Sequence, residues 1–164
     1  MAENTIVKWQ SSYSIGIKLI DEQHMKLIDL TNKLFNSCMS GNERTKSDSI
    51  FLSIIHEIKD YTDYHFSTEE RIMQKINYPE YKIHKQEHWT FVRKVLKKVE
   101  EFNFGKINTP LSLAYYLRDW VLHHIAVNDK KLGNYLLEMK RRGALQQIVL
   151  RAKRNAETNK IQIE

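Results

Sequence analysis

Four stretches of this chain repeat apolar residues at steps of three and four, and each stripe is interrupted by histidine. That period marks a helix that buries one face. The first stripe reads His24, Leu27, Thr31, Leu34, Phe35 and Cys38, and the second Ile54, Ile58, Tyr61, His65, Glu69 and Ile72. The third reads His84, His88, Phe91, Val95, Val99 and Phe102, and the fourth Leu113, Leu117, Trp120, His124 and Val127. Turn and cap signals fall between them: Gly41, Ser47, Asn77-Tyr78-Pro79, Phe104-Gly105 and Thr109-Pro110. Asp21 is the expected N-cap of the first helix, and Pro79 the expected first residue of the third. Helices two and three are each expected to run for about 25 residues, roughly 37 Å at 1.5 Å per residue. With only five glycines and two prolines in 164 residues, a loop-rich β architecture is disfavoured. The pattern predicts an all-α, up-down-up-down four-helix bundle.

The bundle is expected to occupy residues 19–137. Residues 1–18 read as an N-terminal arm anchored by Trp9, Tyr13 and Ile15. Residues 138–164 read as a basic, helical C-terminal extension. They hold seven of the basic residues and three acids, so most of the net charge of +6 sits there. Within the extension, Leu145, Ile148, Val149 and Ala152 form an apolar stripe flanked by Arg142, Arg151 and Arg154. Packing on the bundle is the expectation for this stripe. Pairing with another chain and contact with a membrane surface are the alternatives. The basic balance is read as a solvated face rather than a nucleic-acid surface. No stretch approaches the roughly 20 apolar residues of a membrane span. The first residues lack the pattern of a secretory signal, and the single cysteine, Cys38, allows no internal disulfide. Together these features point to the cytoplasm.

One histidine on an apolar face is ordinarily a hydrogen-bonded core residue, but four adjacent stripes that all carry one ask for another explanation. His65 and Glu69 stand four apart on one helix, and His84 and His88 repeat the spacing on the next. Residues four apart share a helix face, which is how a helix offers two ligands to one metal. His24 and His124 add one each from the outer helices. His56 and His123 fall off the stripes and are expected to be non-ligands. Asp129, five residues after His124, would lie about 140° around a straight helix. It reaches the same face only if the helix widens locally, as in a π-bulge. Imidazoles and carboxylates without thiolates suit iron, zinc, copper or nickel. No Glu-x-x-His pair of the ferritin-like kind, no His-Glu-x-x-His, no phosphate loop and no dinucleotide fingerprint occurs.

The segments Trp9…Tyr13-Ser14-Ile15-Gly16-Ile17, Ile20-Asp21-Glu22-Gln23-His24, His65-Phe66-Ser67-Thr68-Glu69-Glu70, His84-Lys85-Gln86-Glu87-His88 and Trp120…His124-Ile125…Asp129-Lys130 resemble those of hemerythrins, especially the bacterial single-domain kind. The resemblance spans about residues 7–137. It implies two non-haem iron ions with an oxo or hydroxo bridge, and dioxygen as the ligand. His84, His88 and His124 would hold one iron, His24 and His65 the other, and Glu69 and Asp129 would bridge them. A ligand count on that arrangement leaves one open position, on the His24/His65 iron. The implied function is reversible dioxygen binding for storage, delivery or sensing, without enzymatic turnover. A di-iron redox enzyme or scavenger acting on peroxide or nitric oxide, or an iron-handling protein, would use the same ligands.

Overall fold

The computed structural model describes residues 5–39, 44–103, 111–143 and 146. Four helices account for most of them: α1 (Lys18–Met39), α2 (Arg44–Lys75), α3 (Tyr81–Asn103) and α4 (Leu111–His124). A five-residue π-helical turn, Ile125–Asp129, continues α4, and α-helix resumes over residues 130–143. The helices pack as the expected up-down-up-down bundle: α1 lies against α2 and α4, and α3 closes the ring by meeting both α2 and α4. No helix among the described residues is long and apolar enough to cross a membrane.

Each predicted stripe faces the bundle interior, with exceptions near its ends. Leu30, Leu34, Phe51, Ile54, Ile58, Phe91, Val95, Leu113 and Leu117 form one continuous apolar cluster. Cys38, Tyr61, Ile72, Val99, Phe102 and Trp120 are half-buried. Val127 departs outright: it is 39% exposed, for a reason that lies in the π turn described below.

The helix ends differ in detail from their sequence signals. α1 begins at Lys18, so Asp21 sits inside its first turn rather than at the cap. There its carboxylate accepts hydrogen bonds from Ser14 Oγ (2.6 Å) and from the Ile15 backbone N–H (2.8 Å), which fastens the arm to α1. α2 begins at Arg44, so Ser47 lies within it, and at 32 residues it is longer than expected while α3 has 23. Its C-terminus is closed by Asn77 in the left-handed conformation (φ 51°). The Tyr78 N–H bonds to Met73 O (2.9 Å) and the Asn77 N–H to Gln74 O (3.1 Å), the paired pattern of a Schellman motif. Tyr78 and Met73 then bury together with Leu132. Pro79 precedes α3 by two residues instead of opening it. The signals at Gly41, Phe104-Gly105 and Thr109-Pro110 lie outside the described residues, as does the apolar stripe of the C-terminal extension.

The arm is held at both ends. Asn32 Oδ1 accepts from the Ile6 and Val7 N–H groups (3.1 and 3.2 Å), and its Nδ2 donates to Val7 O (2.9 Å). Ile15 is buried as expected, and Val7, which the sequence pattern did not single out, is buried as well. Trp9 and Tyr13 are half-buried against each other, edge to face.

Candidate metal centre

The bundle brings all seven sequence-designated residues to one place. α1 supplies His24, α2 His65 and Glu69, α3 His84 and His88, α4 His124, and the π turn Asp129. All seven are buried. They fall into two groups whose ligand atoms lie within 4.8 Å of one another: Glu69 with His84, His88 and His124, and Glu69 with His24, His65 and Asp129. The carboxylates stand between the groups. Glu69 Oε1 faces His24 and His65 Nε2, each at 3.8 Å, while Oε2 faces His84 and His88 Nε2 at 3.4 and 3.3 Å. Asp129 does the same: Oδ2 faces His24 Nε2 at 3.1 Å, and Oδ1 faces His84 and His124 Nε2 at 3.2 and 3.1 Å. Each carboxylate thus turns one oxygen to a three-histidine set and the other to a two-histidine set.

Asp129 reaches this position because the helix widens where the five-residue spacing requires it. The Lys130 N–H bonds to Ile125 O, an i→i−5 bond that defines a π turn. The extra residue in the turn rotates Asp129 inward to complete burial and leaves Val127, which a straight helix would have placed inside, facing solvent. Beyond the turn, Lys130 Nζ donates to the Ser14 carbonyl of the arm. Gly133, three residues on, passes so close that a Cβ there would collide with the Ile15 carbonyl oxygen. The arm therefore buttresses the segment that presents Asp129.

The chemistry of the donor set tests what it can hold. Buried polar atoms normally find a hydrogen-bond partner. Here His24 Nε2, His65 Nε2, His84 Nε2 and both oxygens of Glu69 and of Asp129 make no hydrogen bond. His88 and His124 direct their Nε2 atoms at each other, 3.0 Å apart. Five imidazole nitrogens and four carboxylate oxygens converging with so few hydrogen bonds among them is a costly arrangement by itself; a cation at each group satisfies it. In the metal-free site, burial and the facing charges pull against each other. Burial alone would lower the His24 and His84 pKa values, but Asp129 and Glu69 outweigh it and raise both to about 9. Burial prevails at His65, which falls to about 4. Burial alone would raise the two carboxyls. The surrounding histidines instead hold Glu69 well below its ordinary range and bring Asp129 down to about 2, against the opposing charge of Glu69. Both carboxylates are ionised and ready to ligate.

The outward nitrogens of three of the rings, His65, His88 and His124, are tethered by residues the stripes did not reveal, while His24 Nδ1 is buried without a partner. His65 Nδ1 lies 3.0 Å from Gln23 Oε1. His88 Nδ1 lies 3.3 Å from Glu70 Oε1. His124 Nδ1 meets the Asn128 side-chain amide at 3.1 Å and Glu87 at 3.6 Å, and Asn128 in turn donates to Glu87. The oxygens of Gln23, Glu70 and Glu87 favour a proton on Nδ1 and so leave Nε2 free for a metal. The available signal was adjacency: Gln23, Glu70 and Glu87 each neighbour a designated residue in sequence, one step off the stripe. Aromatic rings brace the same imidazoles. Phe66 stacks on His88 (3.7 Å between centroids) and Trp120 on His124 (4.3 Å). His56 and His123 are exposed, as their spacing required.

Fold and site together define a class: four-helix bundle proteins that carry a buried, carboxylate-linked histidine metal centre in the bundle core. Residues 15–136 match the family model described as the hemerythrin HHE cation binding domain. The chain belongs to the hemerythrin family. It is 32% identical over 128 residues to a bacteriohemerythrin of Clostridium acetobutylicum, covering 75% of this chain and 95% of that one. It is 30% identical over 125 residues to a bacteriohemerythrin of Stenotrophomonas maltophilia, covering 76% and 78%. A crystal structure of wild-type hemerythrin superposes with a TM-score of 0.70 at 28% identity, over 79% of this chain and 96% of that one.

Proposed function

We propose that the chain binds dioxygen reversibly at a non-haem di-iron centre, as a storage, delivery or sensing protein rather than an enzyme. In this reading His84, His88 and His124 hold one iron, His24 and His65 the other, and Glu69 and Asp129 bridge them beside an oxo or hydroxo bridge. The observation that carries it is the division of each carboxylate between the two histidine sets, three on one side and two on the other. A ferrous pair held there would supply the two electrons that dioxygen takes up on binding and would recover them on its release.

The chain's own part is to keep that exchange reversible. A positioned acid would donate a proton and make oxidation one-way. Among the described residues the buried carboxyl groups are Glu69 and Asp129 alone, and the proposed bridging role uses both as anions. Leu27, Ile28, Val121 and Ile125, each within four residues of His24 or His124, pack together on α1, α4 and the start of the π turn, and in this reading they would keep water from the centre. The inferred division into arm (1–18), bundle (19–137) and basic extension (138–164) assigns oxygen chemistry to the bundle, with the extension packing on it or, alternatively, meeting a protein partner.

Stopped-flow mixing of the reduced protein with oxygen tests the reading. Uptake that reverses under vacuum and repeats supports it. Rapid one-way oxidation with turnover of a reductant, peroxide or nitric oxide overturns it in favour of a redox enzyme. Elemental analysis should find two irons per chain, fewer in Glu69→Ala and Asp129→Ala. One zinc per chain in the native protein would refute the di-iron assignment.

A further inference from the structure

A partly open space lies away from the metal centre, between α2 and α3, with the exposed His56 at its edge. It measures about 90 Å³ and is walled by the buried side chains Ile55, Ile58, Thr62, Phe91 and Val95, with the half-exposed Leu96 at its mouth. The Lys59–Asp63 ion pair (3.0 Å) stands on its rim. Thr62 is the anomaly. Three other helical threonines, Thr31, Thr68 and Thr90, donate their hydroxyls to the carbonyl four residues earlier, each at 2.8 Å. Thr62 is only 3% exposed, yet its Oγ1 has no partner.

A buried hydroxyl of this kind usually marks a water. A buried water, however, needs two to four polar partners, and the inner wall offers one. Behind the polar rim the inner wall is otherwise apolar and holds no water in place, which favours an apolar guest. Dry apolar cavities of about 150 Å³ take up xenon or benzene. At about 90 Å³, this one suits a smaller guest, an apolar molecule of two or three atoms. Its position suggests which one. Thr62 precedes His65 on α2 by less than a turn, roughly 4.5 Å along the axis at 1.5 Å per residue. Phe91, on the opposite wall, contacts Phe66 edge to face (5.9 Å between centroids), and Phe66 borders the rings of His65, His88 and His124. One aromatic layer separates the cavity from the metal centre.

We propose that the α2–α3 cavity is a secondary dioxygen site, from which the gas passes the Phe66 ring to the di-iron pocket. This rests on the oxygen-binding reading above. The test uses xenon as the probe, located by anomalous scattering in pressurised crystals of the iron-loaded protein, together with dioxygen association and dissociation rates in solution. Val95→Phe fills the cavity. Leu96→Trp covers its mouth from a position that already tolerates exposure, and it carries the test should Val95→Phe fail to hold iron. Xenon should sit against Thr62 and Phe91 in the unaltered protein and be absent from the blocked variants. Blocked variants with full iron content should bind and release dioxygen severalfold more slowly by the same factor, with affinity unchanged. A plug raises the barrier without altering either end state. Absence of xenon overturns the cavity site and leaves the di-iron reading standing. Exclusion of xenon with unchanged rates overturns the route. If dioxygen does not bind reversibly in the unaltered protein, the di-iron oxygen reading has failed and the dioxygen role falls with it, while the xenon map still reports whether the cavity accepts an apolar guest.

Discussion

Replacing Gln23 with leucine should strip iron selectively from one half of the centre. Gln23 Oε1 is 3.0 Å from His65 Nδ1, and both residues are buried. With Nε2 of His65 turned to the metal, Nδ1 carries the proton and donates to Gln23. Leucine removes that acceptor where no water can replace it. Leaving a buried N–H unpaired costs about 1–3 kcal/mol. Independently, loss of such an outer contact lowers metal affinity about ten- to a hundredfold, or about 1.4–2.7 kcal/mol at 1.36 kcal/mol per tenfold. The two routes agree. The cost falls on the His24/His65 position because on the other side His88 keeps Glu70 and His124 keeps Glu87. Folding stability should change little, since Gln23 Nε2 is itself buried without a partner and its removal offsets the loss. The assay is competition with a ferrous chelator, following iron per chain by elemental analysis. Gln23→Leu should release one iron at a chelator concentration that leaves both in the unaltered protein, and Gln23→Glu should hold both. Release of both irons together, or of neither, would refute the assignment of Gln23 as the residue that orients His65.

Gly133→Ala should destabilise the protein by about 1–3 kcal/mol, the usual range for overpacking, because its Cβ meets the Ile15 backbone rather than a movable side chain. Thermal unfolding should register this as about 2–4 °C for each kcal/mol in a domain of this size. In the metal-free chain His24 and His84 have pKa values raised to about 9, above the unfolded value near 6.5. Their contribution to stability is therefore full below about pH 6.5 and is lost as the pH rises through 9. At neutral pH iron must displace their protons, so titration calorimetry in buffers of different ionisation enthalpy should show proton release on loading and an affinity that rises towards pH 9. Asn77→Val should cost about 1–2 kcal/mol, since a β-branched residue resists the left-handed conformation that Asn77 adopts at φ 51°, while Asn77→Gly should be nearly neutral. Chemical denaturation of the pair separates this backbone effect from any side-chain role.

Much of the site was legible in the chain because helical periodicity is local. Once residues 24, 65, 69, 84, 88 and 124 lie on apolar stripes, each helix can bury its stripe only against the others, so six donors must meet inside a bundle. Asp129 was of another kind. Its five-residue offset from His124 contradicts a regular helix, and the periodicity alone could only state the condition, a local widening; the resemblance to hemerythrins supplied the residue. The π turn at Ile125–Asp129 meets that condition, and it shows why the same periodicity misplaced Val127. Two matters were decided by tertiary structure alone. One is the pairing of outward imidazole nitrogens with Gln23, Glu70 and Glu87, which depends on how far neighbouring helices are rotated and staggered. The other is the bracing of the π segment by the arm, through Lys130, Gly133 and Ile15, across more than a hundred residues of chain. Local spacing determines which residues can face inward on one helix. Only packing determines which atoms of different helices come within bonding distance.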